Sequence, residues 1–190
     1  MITVRPTDRL FFAVIPDEGT VEAICSARRK LCGKIGLSGT EVLPEHLHVT
    51  LWHVIDDIVP PAPGDIDALL QRATTIEAQP FRIAFTRAKS LSRGAFVLYG
   101  GKGSADLEAL SVKLRDALTR PGTEKKRPFM PHMTLLRSET ILPSRGIKPI
   151  TWTAREIVLM HSLLGKTTHH PVGRLPLRPG PQLSLPGFDF

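Results

Sequence analysis

One four-residue figure, His-x-Thr-Leu, occurs twice in this chain: in "LPEHLHVTLWHV" (residues 43–54) and in "RPFMPHMTLLR" (residues 127–137). In both stretches apolar residues alternate with the histidine and threonine, the period of a strand with one buried face. His48 and Thr50 therefore project together, as do His132 and Thr134. Leu47, Val49 and Leu51 take the other face, matched by Pro131, Met133 and Leu135. A single His-x-Thr on a strand reads most simply as an ordinary sheet residue, but two copies on two such strands imply a duplicated fold.

The surrounding sequence supports the duplication. "RLFFAVIP" reads as a buried strand, and the next segment places Val21, Ile24, Cys25, Leu31 and Cys32 at helical spacing and closes on glycines. The first histidine strand follows. A Pro-rich connector then leads to a short helix carrying Ile66, Leu69, Leu70 and Ala73, with Asp65 as its expected N-cap. "FRIAFTRAKSL" and "GAFVLYGG" read as a strand pair. The helix after them has Leu107, Leu110, Leu114, Ala117 and Leu118 on one stripe, Ser104 as its expected cap and Pro121-Gly122 as its stop. The second histidine strand lies beyond a basic loop. Two further strands are expected in "AREIVLMHSLL" and "HPVGRLPL". Strand, helix and histidine strand thus occur once in the first third and again past mid-chain. The expected fold is α+β and bilobal: two pseudo-symmetric lobes of mainly antiparallel sheet, with outer helices, around a central cleft. Residues 1–178 form one domain in this reading, and residues 179–190 an extended tail.

Composition narrows the function. A chain of 190 residues can bury a core without metal or disulfide help. Its net charge of +7 favours anionic partners. Cys25 and Cys32 stand seven apart on the expected helix, about 10 Å along its axis, beyond disulfide reach, and read as core thiols. No apolar run is long enough to span a membrane and the N-terminus has no secretory pattern, so a soluble, cytoplasmic, monomeric protein is expected, with no membrane partner.

Two imidazoles facing one cleft suit phosphoester chemistry. A neutral ring takes a proton from the attacking hydroxyl or water, and an imidazolium protonates the departing oxygen. Threonine hydroxyls can hold the nonbridging oxygens. Such a site needs no metal and no cofactor. His46, which shares a strand face with His48 in this reading, raises the alternative of a His-x-His metal pair, but no carboxylate or cysteine ligand lies at a supporting spacing.

At these residues the sequence resembles the two-histidine phosphoesterases, and among them the LigT-like RNA 2',3'-cyclic phosphodiesterases, also called 2'-5' RNA ligases. "RLFFAVIP" is similar to the family's opening strand, "LPEHLHVTL" to its first signature, and "RPFMPHMTLLR" to its second, including the closing Arg137. The resemblance implies opening of 2',3'-cyclic phosphate ends of RNA, or of nucleoside 2',3'-cyclic phosphates, to 2'-phosphates. It implies that His48 protonates the leaving 3'-oxygen, that His132 activates water, and that Thr50, Thr134 and Arg137 bind the phosphate. With a 5'-hydroxyl in place of water, the same site would join RNA ends through a 2'-5' link without ATP. His53 stands where the family often has an aromatic or apolar residue, and His169-His170 where a tyrosine is common.

Further candidates surround the motifs. Lys125, Lys126 and Arg127 precede the second histidine strand and could contact RNA phosphates, or form a solvated loop. Phe11 and Phe129 could stack on a base, although core packing is the commoner fate of such residues. His46 is a candidate neighbour of the cleft; His161, His169 and His170 read as surface or sheet residues. The tail "QLSLPGF" resembles the short peptide by which bacterial proteins dock on the replication sliding clamp; the competing reading packs it on its own domain. Two rival functions remain at this point: a binding module of the same fold without turnover, and a phosphodiesterase for another cyclic nucleotide such as ADP-ribose cyclic phosphate.

Overall fold

The computed structural model describes residues 5–119 and 129–179. Its elements are β1 (Asp8–Val14), α1 (Glu18–Ile35), β2 (Thr40–Glu41), a single 3-10 turn (Pro44–His46), β3 (Val49–Asp57), α2 (Pro63–Ala73), β4 (Phe81–Ser90), β5 (Ala95–Tyr99), α3 (Ser104–Leu118), β6 (His132–Arg137), β7 (Arg145–Ala154), β8 (Glu156–Leu163) and β9 (Thr168–Pro176). The strands form one antiparallel sheet in the order β7-β4-β5-β6-β3-β1-β8-β9, with β2 added on β6.

The sheet has two halves. β3, β1, β8 and β9 make one; β6, β5, β4 and β7 make the other. They join through a single register pair, Val49 with Met133. One transverse row, Ala88, Leu98, Met133, Val49 and Val14, crosses the junction with no member more than 1% exposed. These residues face the helices, so the junction is part of the hydrophobic core. The expected duplication is present: β1-α1-β3 and β5-α3-β6 sit at corresponding places in the two halves.

Each of these helices is tied to the other half. The buried Ser111 hydroxyl on α3 donates to the Leu51 carbonyl of β3 at 2.7 Å. On α1, buried Arg28 donates to the carbonyls of Val42 (2.6 Å) and Leu135 (3.3 Å), the latter on β6, and pairs with Glu41. A buried carbonyl without a donor costs about 1–3 kcal/mol, so these crossed bonds hold the halves in register.

Local chemistry explains the element ends. Asp17 caps α1 by accepting the Thr20 amide at 2.8 Å, and Gly36 closes it at φ 64°, a left-handed conformation that glycine adopts without strain. The N-cap of α2 is Ala62, not Asp65, because Pro63 opens the helix and draws Asp65 into its first turn. The N-cap of α3 is Gly103, and Ser104 lies inside the helix with its hydroxyl unbonded. Strand β7 is an addition to the expected elements. Gly146 and Pro149 obscure its alternation, and proline is tolerated there because β7 is an edge strand. Cys25 and Cys32 are buried, free thiols on α1. Pro121-Gly122 and the tail beyond Pro179 lie outside the described residues. No described helix is long and apolar enough to cross a membrane.

Candidate active site

Both histidine motifs lie at the junction. Leu47, Val49, Leu51, Pro131, Met133 and Leu135 are buried on the core side, while His48, Thr50, His132 and Thr134 are half-buried on the opposite face. The first motif enters its strand later than expected: Pro44–His46 form the 3-10 turn, and β3 begins at Val49. Counted outward from Val49 and Met133, the antiparallel register sets His48 beside Thr134 and Thr50 beside His132. The two histidines thus occupy a diagonal across the junction, and diagonal neighbours in an antiparallel ladder lie about 7–8 Å apart. β3 and β6 pair only near their first residues, so the four side chains gather where the two halves of the sheet meet.

The two imidazoles are held alike. Nδ1 of His48 donates to the carbonyl of His46 at 2.7 Å, and Nδ1 of His132 donates to the carbonyl of Met130 at 2.8 Å. A carbonyl only accepts, so Nδ1 carries a hydrogen in either charge state and Nε2 is the atom that gains or loses a proton. Each ring is thus fixed by the backbone two residues before it.

Their surroundings differ. Burial, the largest cause, holds the pKa of His48 below its ordinary value; the hydrogen bond to His46 opposes this, and charge on His46 and His132 adds to it. The Phe11 ring lies 5.0 Å from that of His48. Phe11 is 3% exposed and clusters with Ala13, Val158 and Met160, so it has no free face for a base and instead backs His48. His46 is off the strand: its carbonyl serves His48, and its ring lies 4.4 Å from His169.

His169 is the site residue that sequence reading passes over. β9 brings it against His46, Phe11 and His48, with ring centroids 4.4, 5.9 and 5.6 Å away. Its pKa is lowered to about 4, first by burial and then by charge on His48, His46 and Arg9. The one signal in the sequence is the family resemblance, which implies a tyrosine in the region of His169-His170.

Other candidates divide. Arg137 is exposed at the far end of β6, about 10 Å along the strand from Thr134. Phe129 is half-buried just before Met130. Lys125, Lys126 and Arg127 lie outside the described residues. His53 is exposed and pairs with Asp56, and His161 bonds the buried Asp8. No group of three or more His, Cys, Asp or Glu among the described residues is placed to hold a metal ion. A groove of about 770 Å³ between α1 and β7 lies on the core side of the sheet, and neither motif histidine lines it.

Comparison with known proteins agrees with this arrangement. The apo structure of E. coli LigT matches with a TM-score of 0.72 at 27% identity, covering 92% of this chain and 99% of that one. E. coli LigT complexed with 3'-AMP matches with a TM-score of 0.72 at 25% identity, covering 90% and 98%. The TT0787 protein of Thermus thermophilus, at 23% identity and a TM-score of 0.65 over 90% and 98% of the two chains, shares the fold. A search of curated proteins gives no significant match. Residues 16–166 match the 2'-5' RNA ligase superfamily as a family. Paired His-x-Thr strands across a two-half sheet, the LigT-like architecture and that family match together make this chain a member of the 2'-5' RNA ligase superfamily, a LigT-like two-histidine phosphoesterase.

Proposed function

We propose that the protein hydrolyses 2',3'-cyclic phosphate ends of RNA to 2'-phosphates, by acid/base catalysis between His48 and His132. The observation that carries this reading is the matched anchoring of the two rings. With both Nδ1 atoms committed to carbonyls, both Nε2 atoms are free to exchange protons on one face of the sheet, beside two hydroxyls. The complex of E. coli LigT with 3'-AMP, a nucleotide with a phosphate on its ribose, is in keeping with it.

In the reaction proposed, Nε2 of neutral His132 removes a proton from water as its oxygen bonds to phosphorus. The bond from phosphorus to O3' breaks, its electron pair stays on O3', and the His48 imidazolium protonates that oxygen. Proton exchange with solvent then resets both rings. Burial suits His48 to the acid role: an imidazolium of lowered pKa is the stronger proton donor to an alkoxide, and the substrate's anionic phosphate helps to hold the proton until it is needed. Thr50 and Thr134 donate to the nonbridging oxygens, and Arg137 meets the phosphate or its neighbour. With a 5'-hydroxyl end as nucleophile, the same steps give a 2'-5' linkage.

The test is incubation with adenosine 2',3'-cyclic phosphate in the presence of a chelator, with product regiochemistry read out. The expected product is the 2'-phosphate, with His48→Ala and His132→Ala each at least about a hundredfold slower while nucleotide binding weakens far less. No turnover, or equal loss of binding and rate in both variants, would overturn the reading; turnover of ADP-ribose cyclic phosphate alone would move it to that substrate.

A further inference from the structure

On the face that holds the histidines, the two halves of the sheet carry charge differently. Across β6, β5 and β4 the register aligns His132 with Tyr99 and Arg87, and Thr134 with Val97 and Lys89. Partners in an antiparallel ladder point to one face, so Tyr99, Arg87 and Lys89 share the face that holds the histidines. From β6 to β4 is two strand spacings, about 9.6 Å, which long side chains shorten.

The groups there are cationic and lack acidic partners. Nε and Nη2 of Arg87 both donate to the Ser144 hydroxyl oxygen, at 2.9 and 2.8 Å, and the Tyr99 hydroxyl donates to the same oxygen at 2.6 Å. Nζ of Lys89 lies 4.6 Å from the centre of the Tyr99 ring. Among the described residues neither Arg87 nor Lys89 forms an ion pair. The other half of the sheet differs: Arg9 on β1 is bonded by both oxygens of Asp56, at 2.7 and 2.8 Å, so its charge is compensated. A guanidinium fork and a phenol converge on one neutral oxygen, with an ammonium over the phenol ring, and the fork is the shape that takes two oxygens of a phosphate.

We propose that Arg87, Lys89 and Tyr99 form a second phosphate subsite, which holds the phosphodiester on the 5' side of the terminal nucleotide while its cyclic phosphate lies between His48 and His132. The inference rests on the function proposed above and narrows its substrate class to an oligonucleotide end, or a nucleotide with a 5'-phosphate, in preference to a free nucleoside cyclic phosphate. The contacts reach backbone phosphate alone, so they position the strand without reading its sequence.

Three substrates test it: adenosine 2',3'-cyclic phosphate, the same nucleotide with a 5'-phosphate, and the dinucleotide ApA with a 2',3'-cyclic phosphate end. The wild type is expected to favour the dinucleotide over the nucleoside in kcat/KM. In Arg87→Ala/Lys89→Ala that ratio falls about tenfold, and the dependence of dinucleotide KM on salt loses a slope of about one per contact removed. A ratio unchanged by the double substitution, or equal loss on all three substrates, overturns the subsite. Comparison of the two phosphorylated substrates shows whether a terminal or an internucleotide phosphate is held. Calorimetric titration with adenosine 2'-phosphate and with ApA 2'-phosphate reads the subsite without turnover. Weaker binding of the dinucleotide alone in the double variant supports it, and no difference sinks it, even if the wild type hydrolyses none of the three.

Discussion

Val49 on β3 and Met133 on β6 form the one register pair joining the two halves of the sheet, and the His-x-Thr pairs flank it on both strands. Both side chains are fully buried. Met133→Ala is therefore expected to lower stability by about 2–5 kcal/mol, whereas Met133→Leu, which keeps the volume, costs less than about 1.5 kcal/mol. Urea denaturation measures both. If the alanine variant keeps wild-type stability, the junction is not the packed core described here.

The ring of His48 is expected to titrate below pH 6.5 in the free protein, because burial is the main cause acting on it. Bound adenosine 2'-phosphate brings negative charge to the ring and should raise that value. Histidine NMR across a pH series, with and without the nucleotide, reads both. A free His48 titrating above 6.5 contradicts the burial.

Which ring is acid and which is base can be separated by the leaving group. A cyclic ester with sulfur in place of O3' departs as a thiolate and needs no protonation. His48→Ala is expected to recover most of its lost rate on that substrate, and His132→Ala to recover none. The opposite pattern would exchange the two roles.

His169 links the site to acid stability. Its pKa of about 4 lies below the unfolded value of about 6.5, so the folded protein binds fewer protons than the unfolded chain between those values. The sign follows: its contribution is fully present above about pH 6.5 and is lost as pH falls toward 4. In His169→Phe, which keeps a ring against Phe11 and His46, the drop in Tm between pH 7 and pH 4.5 should be smaller than in the wild type. Parallel losses in the two proteins would show that His169 does not carry the effect.

Much of the fold was legible because its cues are local. The alternation in "HVTL" and "PHMTLL" marks one face of extended chain, and helical stripes mark α1 and α3, whatever lies elsewhere in the chain. Strand β7 escaped because an edge position tolerates the glycine and proline that a central strand would reject. Asp65 and Ser104 misled because capping is decided by which residue leaves helical geometry first, and Pro63 and Gly103 decided it here.

The sequence by itself determined that His48, Thr50, His132 and Thr134 would each project opposite an apolar back, since a period of two is a property of extended backbone. Only tertiary structure decided that the two strands meet at Val49 and Met133, that His169 arrives from β9 beside His48, and that Arg9 is neutralised while Arg87 and Lys89 are not. Those outcomes depend on which distant residues share a ladder and a face. Pairing between remote strands follows from packing the whole core, which no local pattern encodes.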